Sequence, residues 1–570
     1  MYIRTTKRQN KDGSVTEYLQ LAHNEWDKEA RRSTVKVLIN FGRKEEVDVK
    51  GLERLAASIG RYLGSLPGYA TNVSASDVEV LSARTYGGCW FLDQLWQRLN
   101  VGECLKELLS KTGYEIPIER ALFAMAANRA IDPASKLSNE HWVNEEAYIS
   151  GLSSISVHQL YRSMDFLLEH DAAVQENVFF SVANLFNLEV DLIYFDTTST
   201  YFETDSPDEA EDNEDNVNAL RQYGHTKDHR PDLPQIVIGM AVTKEGIPVR
   251  CWVFSGETSD MSIVEQVKKD LNGWRLGRVI SVMDCGFSSE ENCIKLQSGG
   301  GHYIIGEKMR SGKPEVEAAL SKRGRYTKIK EDLYAKETVI GDGERRKRFA
   351  VVLNKKVAAK DRLTRQKHLN AIASELVRTG AMSKKEHTKA ICALTSHRVY
   401  GRYLKIRKDG TVEIDKRKVA AEERLDGKYL IKTSDDTLSL SDIVLGYKQL
   451  HDIERGFRTL KSELELRPVY HRKSERVRAH VLICWMALLL IRIAENETKM
   501  TWFQIRKQLK PINLVSLKLP EGIVQQSTVL TTEQEEIFRS CQIKAPPKLV
   551  QMQPTPETEP IPETEPIPEQ

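Results

Sequence analysis

The sequence predicts an α/β protein built from several folded units, and three observations carry that prediction. At 570 residues the chain exceeds the size at which a single hydrophobic core stops growing, so roughly two to four units are expected. Between residues 192 and 306, continuous apolar runs of strand length alternate with amphipathic stretches of helical period. A polar, basic stretch then interrupts the alternation, and hydrophobic periodicity resumes at Tyr429.

The apolar share of 40% and charged share of 29% are those of a globular protein with a charged surface, and they point neither to disorder nor to a membrane. A formal net charge of +2 hides a separation of sign. Acidic residues crowd into 203–215 and into residues 551–570 at the end of the sequence. Basic runs occur at Lys308, Arg310, Lys313, Lys322, Arg323 and Arg325, at Arg345 to Arg348, and at Arg472, Lys473, Arg476 and Arg478. Such runs attract a polyanion, although each alone more often describes a solvated face. The eight cysteines include no CxxC pair and no secretory leader is evident, so a reduced, cytoplasmic protein with neither zinc site nor disulfide framework is expected. The most apolar stretch, Val481 to Ile493, is short for a bilayer and contains Arg492; it reads as a buried helix, and no membrane association is expected.

In chain order, residues 1–80 read as an N-terminal β-containing unit, with β-branched and aromatic strands at Thr16–Ala22 and Thr34–Phe41. Residues 81–188 read as a helical domain, from spacings such as Leu92, Leu95, Leu99 and Leu160, Met164, Leu167, Leu168. Residues 189–310 hold the informative pattern. Leu192–Asp196 is an apolar run of the kind buried on both sheet faces, and Gln235–Thr243 and Val249–Gly256 supply two more strands. A helix follows at Asp260–Asn272, a strand at Val279–Asp284, a helix at Ser289–Gln297 and a strand at His302–Gly306. The order βββαβαβ is that of a ribonuclease H-like core, in which a three-strand meander is joined by helical crossovers to two further strands. Residues 311–425 read as an insertion domain, 426–510 as the second part of the core, and 511–570 as a C-terminal segment. Its proline-rich tail, Pro556-Glu-Thr-Glu-Pro-Ile561 repeated at 562–567, is expected to be disordered.

Asp196 and Asp284 each follow an apolar run. Two carboxylates at the ends of neighbouring buried strands repel unless a cation lies between them, which is the physical case for a metal; either aspartate alone reads equally as a turn residue closing its strand. From Ser441 the sequence SDIVLGYKQLHDIERGFRTLKSEL spaces Tyr447, Glu454 and Lys461 by seven residues, which returns them to nearly one helix face. An amphipathic helix with exposed charged flanks has the same spacing.

The pattern Tyr447, Leu450, Glu454, Lys461 resembles the Tyr-Arg-Glu-Lys signature of DDE transposases of the insertion-sequence-4 superfamily, with Leu450 at the usual arginine position. The segments YFDTTSTYFE, YGHTKDHRPDLPQIVIGMAV, GIPVRCWVFSGETSD, VMDCGF and FRTLKSELELRPVYH are similar to the subgroup around insertion sequence 1634, as is the opening MYIRTTKRQ. This resemblance implies a catalytic, metal-binding triad of Asp196, Asp284 and Glu454. It implies DNA contacts from Tyr447 and Lys461, and Tyr223, His225, Lys227 and Arg230 lie in a matching segment that either approaches the DNA or the metal site or supports the next strand. The implied cofactor is Mg²⁺, with Mn²⁺ able to substitute. Two ions about 4 Å apart would serve both cleavage and the joining of the freed 3′-OH to a second strand. The implied partners are double-stranded element ends and target DNA, and a second copy of the chain in a homodimer on the nucleoid. The loss of the arginine removes one expected phosphate contact.

Two other classes remain open on the residues. A transposase-derived DNA-binding protein without catalysis would keep the basic runs, yet all three acidic positions are filled. An aspartyl-nucleophile phosphatase would need an acid two residues after Asp196, where Thr198 stands. The eight carboxylates between Glu203 and Asp215 read as a solvated loop rather than a metal reservoir.

Overall fold

The computed structural model describes residues 2–9, 15–27, 32–44, parts of 47–59, 78–114, 116–185, 192–204, 206–209, 219–224, 226–228, 230–272, 280–343, 346–380, 384–408, 410–519 and 522–554. His225, most of the acidic run and the 556–567 repeat lie outside them. Two compact units are present: one of Thr85–Pro511 with Thr531–Ala545, the other of Met1–Arg84, Ile512–Leu530 and Pro546–Gln570.

The larger unit opens with helices. In α1 (Ile118–Ile131) almost every residue is buried, because alanines and apolar residues run all round it. Helix α2 (Val157–Glu169) starts at a capping box in which Ser156 and Gln159 satisfy each other's backbone N–H. The chain then enters a nine-stranded sheet, whose strands are numbered here within that sheet. β1 (Leu192–Tyr201), β2 (Gln235–Val242) and β3 (Pro248–Ser255) form an antiparallel meander, with Asp196 opposite Met240 and Gly239 opposite Trp252. Helix α3 (Asp260–Asn272) leads to β4 (Ile280–Met283), which lies parallel to β1. Helix α4 (Glu290–Gln297) leads to β5 (His302–Glu307), parallel to β4. The elements therefore follow the order read from the apolar runs.

The polar stretch after residue 311 does not stand apart from this sheet. β6 (Thr327–Lys330), β7 (Leu333–Ile340), β8 (Lys347–Asn354) and β9 (Lys428–Thr433) extend it to the order β6-β7-β8-β9-β5-β4-β1-β2-β3. The cause is apolar: Phe349, Ala350, Val351 and Val352 are buried, and β9 pairs Leu430 with Glu307 of β5. The helices Lys355–Gly380 and Lys384–Ser396 have a separate small core around Ile372, Leu394, Tyr403 and Leu404. After β9 come α5 (Leu440–Lys448) and α6 (Leu450–Ser462), two helices that break at Gln449 where one continuous helix was expected. Helix α7 (Ser474–Thr498) is 25 residues long, longer than its apolar stretch suggested. Among the described residues it is the one helix long and apolar enough to cross a membrane, and its apolar window is almost wholly buried against the rest of the protein. Its Arg492 is paired with Glu495 at 2.7 Å and donates to the Gly246 carbonyl at 3.1 Å.

In the smaller unit Tyr2–Gln9, Val15–Asp27 and Arg32–Arg43 form an antiparallel sheet. A second sheet joins the two ends of the sequence, in the order Leu549–Pro554, Gly522–Ser527, Asn513–Leu519, Glu79–Thr85.

Candidate active site

The strand register brings Asp196 and Asp284 together. Parallel pairing of β1 with β4 matches Leu192 to Ile280, Ile193 to Ser281 and Tyr194 to Val282. Each aspartate stands two residues beyond Tyr194 or Val282, so both carboxylates leave the same face of adjacent strands, which run about 4.8 Å apart. Asp196 is not at the end of its strand, as the apolar run suggested: β1 continues through buried Thr197–Thr200 to Tyr201. It is β4 that ends, at Met283, which leaves Asp284 extended at the sheet edge. The next strand carries the row onward, because Val282 pairs with Ile304 and Gly306 therefore follows at the position matching Asp284. A Cβ on Gly306 would lie 2.1 Å from the Tyr447 hydroxyl. The missing side chain is what lets Tyr447 lie there and donate to Asp284 Oδ1 at 3.0 Å. Burial, and then the Asp284 charge, push the Tyr447 hydroxyl well above its ordinary range.

Helices α5 and α6 cover this face. Tyr194, two residues before Asp196, hydrogen-bonds Gln449 at the break between them, and Gly446 packs against Leu192 and Tyr194. At the far end of α6, Lys461 pairs with Asp228 at 2.9 Å, and Arg467 reaches the same carboxylate at 3.4 Å while lying over the Tyr201 ring. Burial lowers the Lys461 ammonium, against the pull of Asp228.

Lys227 approaches Asp196 from the loop between β1 and β2. Its Nζ lies 3.4 Å from Asp196 Oδ1 and 3.1 Å from Thr197 Oγ1, and it also donates to the Thr197 carbonyl. The loop is fixed by Lys227 N donating to Ser199 Oγ at 2.9 Å, and by Gly224, whose Cβ would meet the Gly256 carbonyl at 1.9 Å. Burial raises the Asp196 carboxyl, and Asp284 adds to the rise, while Lys227 and the Thr197 N–H lower it. The ammonium thus stands where a pair of repelling acids needs positive charge.

Glu454 does not join the two aspartates. It is exposed on α6, seven residues from Tyr447 and from Lys461, with no hydrogen bond or ion pair among the described residues. Among those residues no group of three or more His, Cys, Asp and Glu is arranged to hold a metal ion. Arg230 lies apart from the acids, paired with Asp232 at 2.8 Å and set over Tyr201. Many cations of the basic runs are engaged within the fold, as in Arg310 with Glu422, Arg346 with Asp436, Lys347 with Glu315 and Arg476 with Asp165. Asp228, Arg467 and Gly306 escaped the sequence reading. The signal for Asp228 was present as an acid set between Lys227 and Arg230.

Comparison with known proteins gives two family matches. The family model of the transposase DDE domain matches residues 216–490, a stretch that contains Asp284, Tyr447, Glu454 and Lys461 and begins after Asp196. That of the N-terminal domain of IS1634 family transposases matches residues 3–71. No curated protein matches. A solved structure, a cryo-EM structure of the piggyBac transposase synaptic complex with hairpin DNA, aligns at 11% identity over 74% of this chain and 79% of that one, with a TM-score of 0.31.

Proposed function

We propose that this chain, a DDE transposase similar to the IS1634 family, cuts and joins DNA at Asp196 and Asp284, with Glu454 completing the site when DNA is bound. The observation that carries this reading is the β1–β4 register, which sets two carboxylates side by side beneath the helices that bear Tyr447, Glu454 and Lys461. The order β3-β2-β1-β4-β5 supports reading this part of the sheet as a ribonuclease H-like core, in keeping with the same assignment.

Asp196 and Asp284 suit a divalent cation. They are adjacent acids, one of them desolvated, with an ammonium already drawn to it. Bound there, Mg²⁺ or Mn²⁺ would neutralise a phosphodiester and acidify the attacking water or 3′-OH. The protein's own groups do the rest. Tyr447 holds Asp284 in orientation, and Asp228 holds Lys461 and Arg467 at the far end of α6. Lys227 leaves Asp196 for a DNA phosphate, which exchanges one anionic partner for another. A shift of α6 over the sheet brings Glu454 to the aspartates. Double-stranded element ends and target lie across this face, held also by the helical residues 81–188 and by exposed cations of 311–425, and two copies pair two ends on the nucleoid.

The test is Mg²⁺-dependent cleavage of a plasmid carrying the DNA that flanks the gene. Wild type cuts at the element ends, and Asp196→Asn, Asp284→Asn and Glu454→Gln each bind those ends with cleavage reduced ~100-fold or more, as loss of several kcal/mol of transition-state stabilisation requires. A variant that still cuts removes that residue from the site. A wild type that binds the ends without cutting favours the catalytically silent DNA-binding protein.

A further inference from the structure

A second polar cavity, sharing no residue with the aspartate site, lies between α1, α2, α7 and the segment that follows α6. Its volume is about 170 Å³ and its lining includes Arg129, Lys136, Tyr161, His471 and His480, with no Asp or Glu. That volume is many times the roughly 15 Å³ that one water needs.

The cations here are buried and short of partners. Lys136 is 5% exposed, and no hydrogen bond or ion pair reaches its ammonium among the described residues. Arg129 is held in place by backbone carbonyls, with Nη1 donating to Glu465 at 3.2 Å and Nη2 to Ala134 at 2.7 Å, while its Nε has no partner. His480 Nε2 lies 3.3 Å from the Leu466 carbonyl, which fixes the proton on that nitrogen and leaves Nδ1 unpartnered in the cavity wall. The His471 ring stands 5.6 Å from that of His480 and edge-on to Tyr161. The nearby acid is already taken, since Asp165 pairs with Arg476, which lies over Tyr161. Burial lowers Lys136 to about 7, with Arg129 adding to the effect. Cations gathered in a cavity without a counter-charge are costly unless an anion joins them.

We propose that this cavity binds a phosphate oxyanion, gripped by Lys136 and Arg129 Nε, with His471 and His480 as further donors once their rings are protonated. A tetrahedral oxyanion accepts from several directions at once, which matches donors arriving from α1 (Arg129), the short helix Lys136–His141, α7 (His480) and the segment after α6 (His471), and charge-assisted hydrogen bonds are the stronger kind. The phosphate comes either from solution as the free ion or from the end of a DNA strand. The assignment does not depend on the reading of the aspartate site.

Thermal unfolding of the full chain with inorganic phosphate, against chloride at matched ionic strength, tests it. Wild type is expected to rise in Tm with phosphate and not with chloride. Lys136→Met is expected to lose the phosphate-dependent rise and to be at least as stable as wild type without phosphate, because an unpaired buried charge has been replaced by a thioether of similar length. His471→Gln is expected to weaken phosphate binding severalfold by calorimetry. A duplex with a 5′-phosphate that binds wild type tenfold tighter than its 5′-hydroxyl counterpart, and Lys136→Met without that preference, identifies the DNA end as the source; equal binding of the two duplexes beside a positive phosphate shift identifies the free ion. The proposal is overturned if phosphate leaves wild type unshifted, if Lys136→Met keeps the full shift, or if Lys136→Met is the less stable protein in phosphate-free buffer.

Discussion

At Asp196 the ammonium of Lys227 offsets a carboxylate that burial and Asp284 both disfavour in its charged form. Removing the ammonium leaves two acids facing each other without a cation. Lys227→Met is therefore expected to lower Tm in EDTA relative to wild type, by less per kcal/mol than the roughly 2–4 °C of a domain of 150–250 residues because this unit is larger, and Mg²⁺ should narrow the gap by binding the folded state alone. Differential scanning calorimetry with and without the ion reads both numbers. His471 gives the chain a pH signature. Burial first, then Lys136, Arg476 and Arg129, push its ring from 6.5 down to about 4. The unfolded chain takes up that proton at the higher pH, so stability present above about pH 6.5 declines as pH falls toward about 4. In His471→Gln the denaturation midpoint should fall less steeply across that window. In the sequence the segment bearing Lys227 reads as one that approaches the DNA or the metal site or supports the next strand, and Lys227 lies 3.4 Å from Asp196; the meeting of His471 with Lys136 was not legible, because it arises only after the helices have closed. What was legible was the residue types themselves: an acid after each of two apolar runs, and a Tyr, a Glu and a Lys spaced by seven.

Among the elements, β2, β4 and β5 were readable because strands covered on both faces leave unbroken apolar runs. The second half of β1 was not, since Thr197–Thr200 are polar by composition yet buried in the sheet. The break at Gln449 was equally hidden, since periodicity runs through it. β7 and β8 were obscured by the charged residues along them, such as Lys336 and Arg348, which are buried with partners. Gly306 couples two of these elements. In Gly306→Ala the new methyl group meets the Tyr447 hydroxyl, and overpacking of this kind costs about 1–3 kcal/mol. Chemical denaturation should show that loss, and for Tyr447→Phe a comparable one of about 1.5–3 kcal/mol, as for a hydrogen bond to a charged group. Helix α7 offers a further case. Arg492→Ala takes from the buried Glu495 its nearer cation at 2.7 Å and leaves Arg455 at 3.3 Å and the Trp502 N–H at 2.9 Å, so it should destabilise the unit by less than the roughly 3–5 kcal/mol of a fully broken buried pair, measured in the same experiment.

On the scale of the whole molecule, the nine-stranded sheet is a frame on which segments distant in sequence converge. Asp196, Lys227, Asp284, Tyr447 and Lys461 are spread along a stretch of more than 250 residues (Tyr194 to Gln449 alone are 255 apart), and the residues inserted between β5 and β9 lengthen the sheet instead of interrupting it. In the proposed function Asp196 and Asp284 hold the divalent ion and Glu454 joins them only on DNA. Mn²⁺ titration followed by electron paramagnetic resonance, with and without element-end DNA, reads this directly. Asp196→Asn and Asp284→Asn are each expected to lose Mn²⁺ binding in both conditions, whereas Glu454→Gln is expected to match wild type without DNA and to fall below it with DNA. Undiminished Mn²⁺ binding by the Asp196→Asn, Asp284→Asn double variant would take the ion away from these two carboxylates.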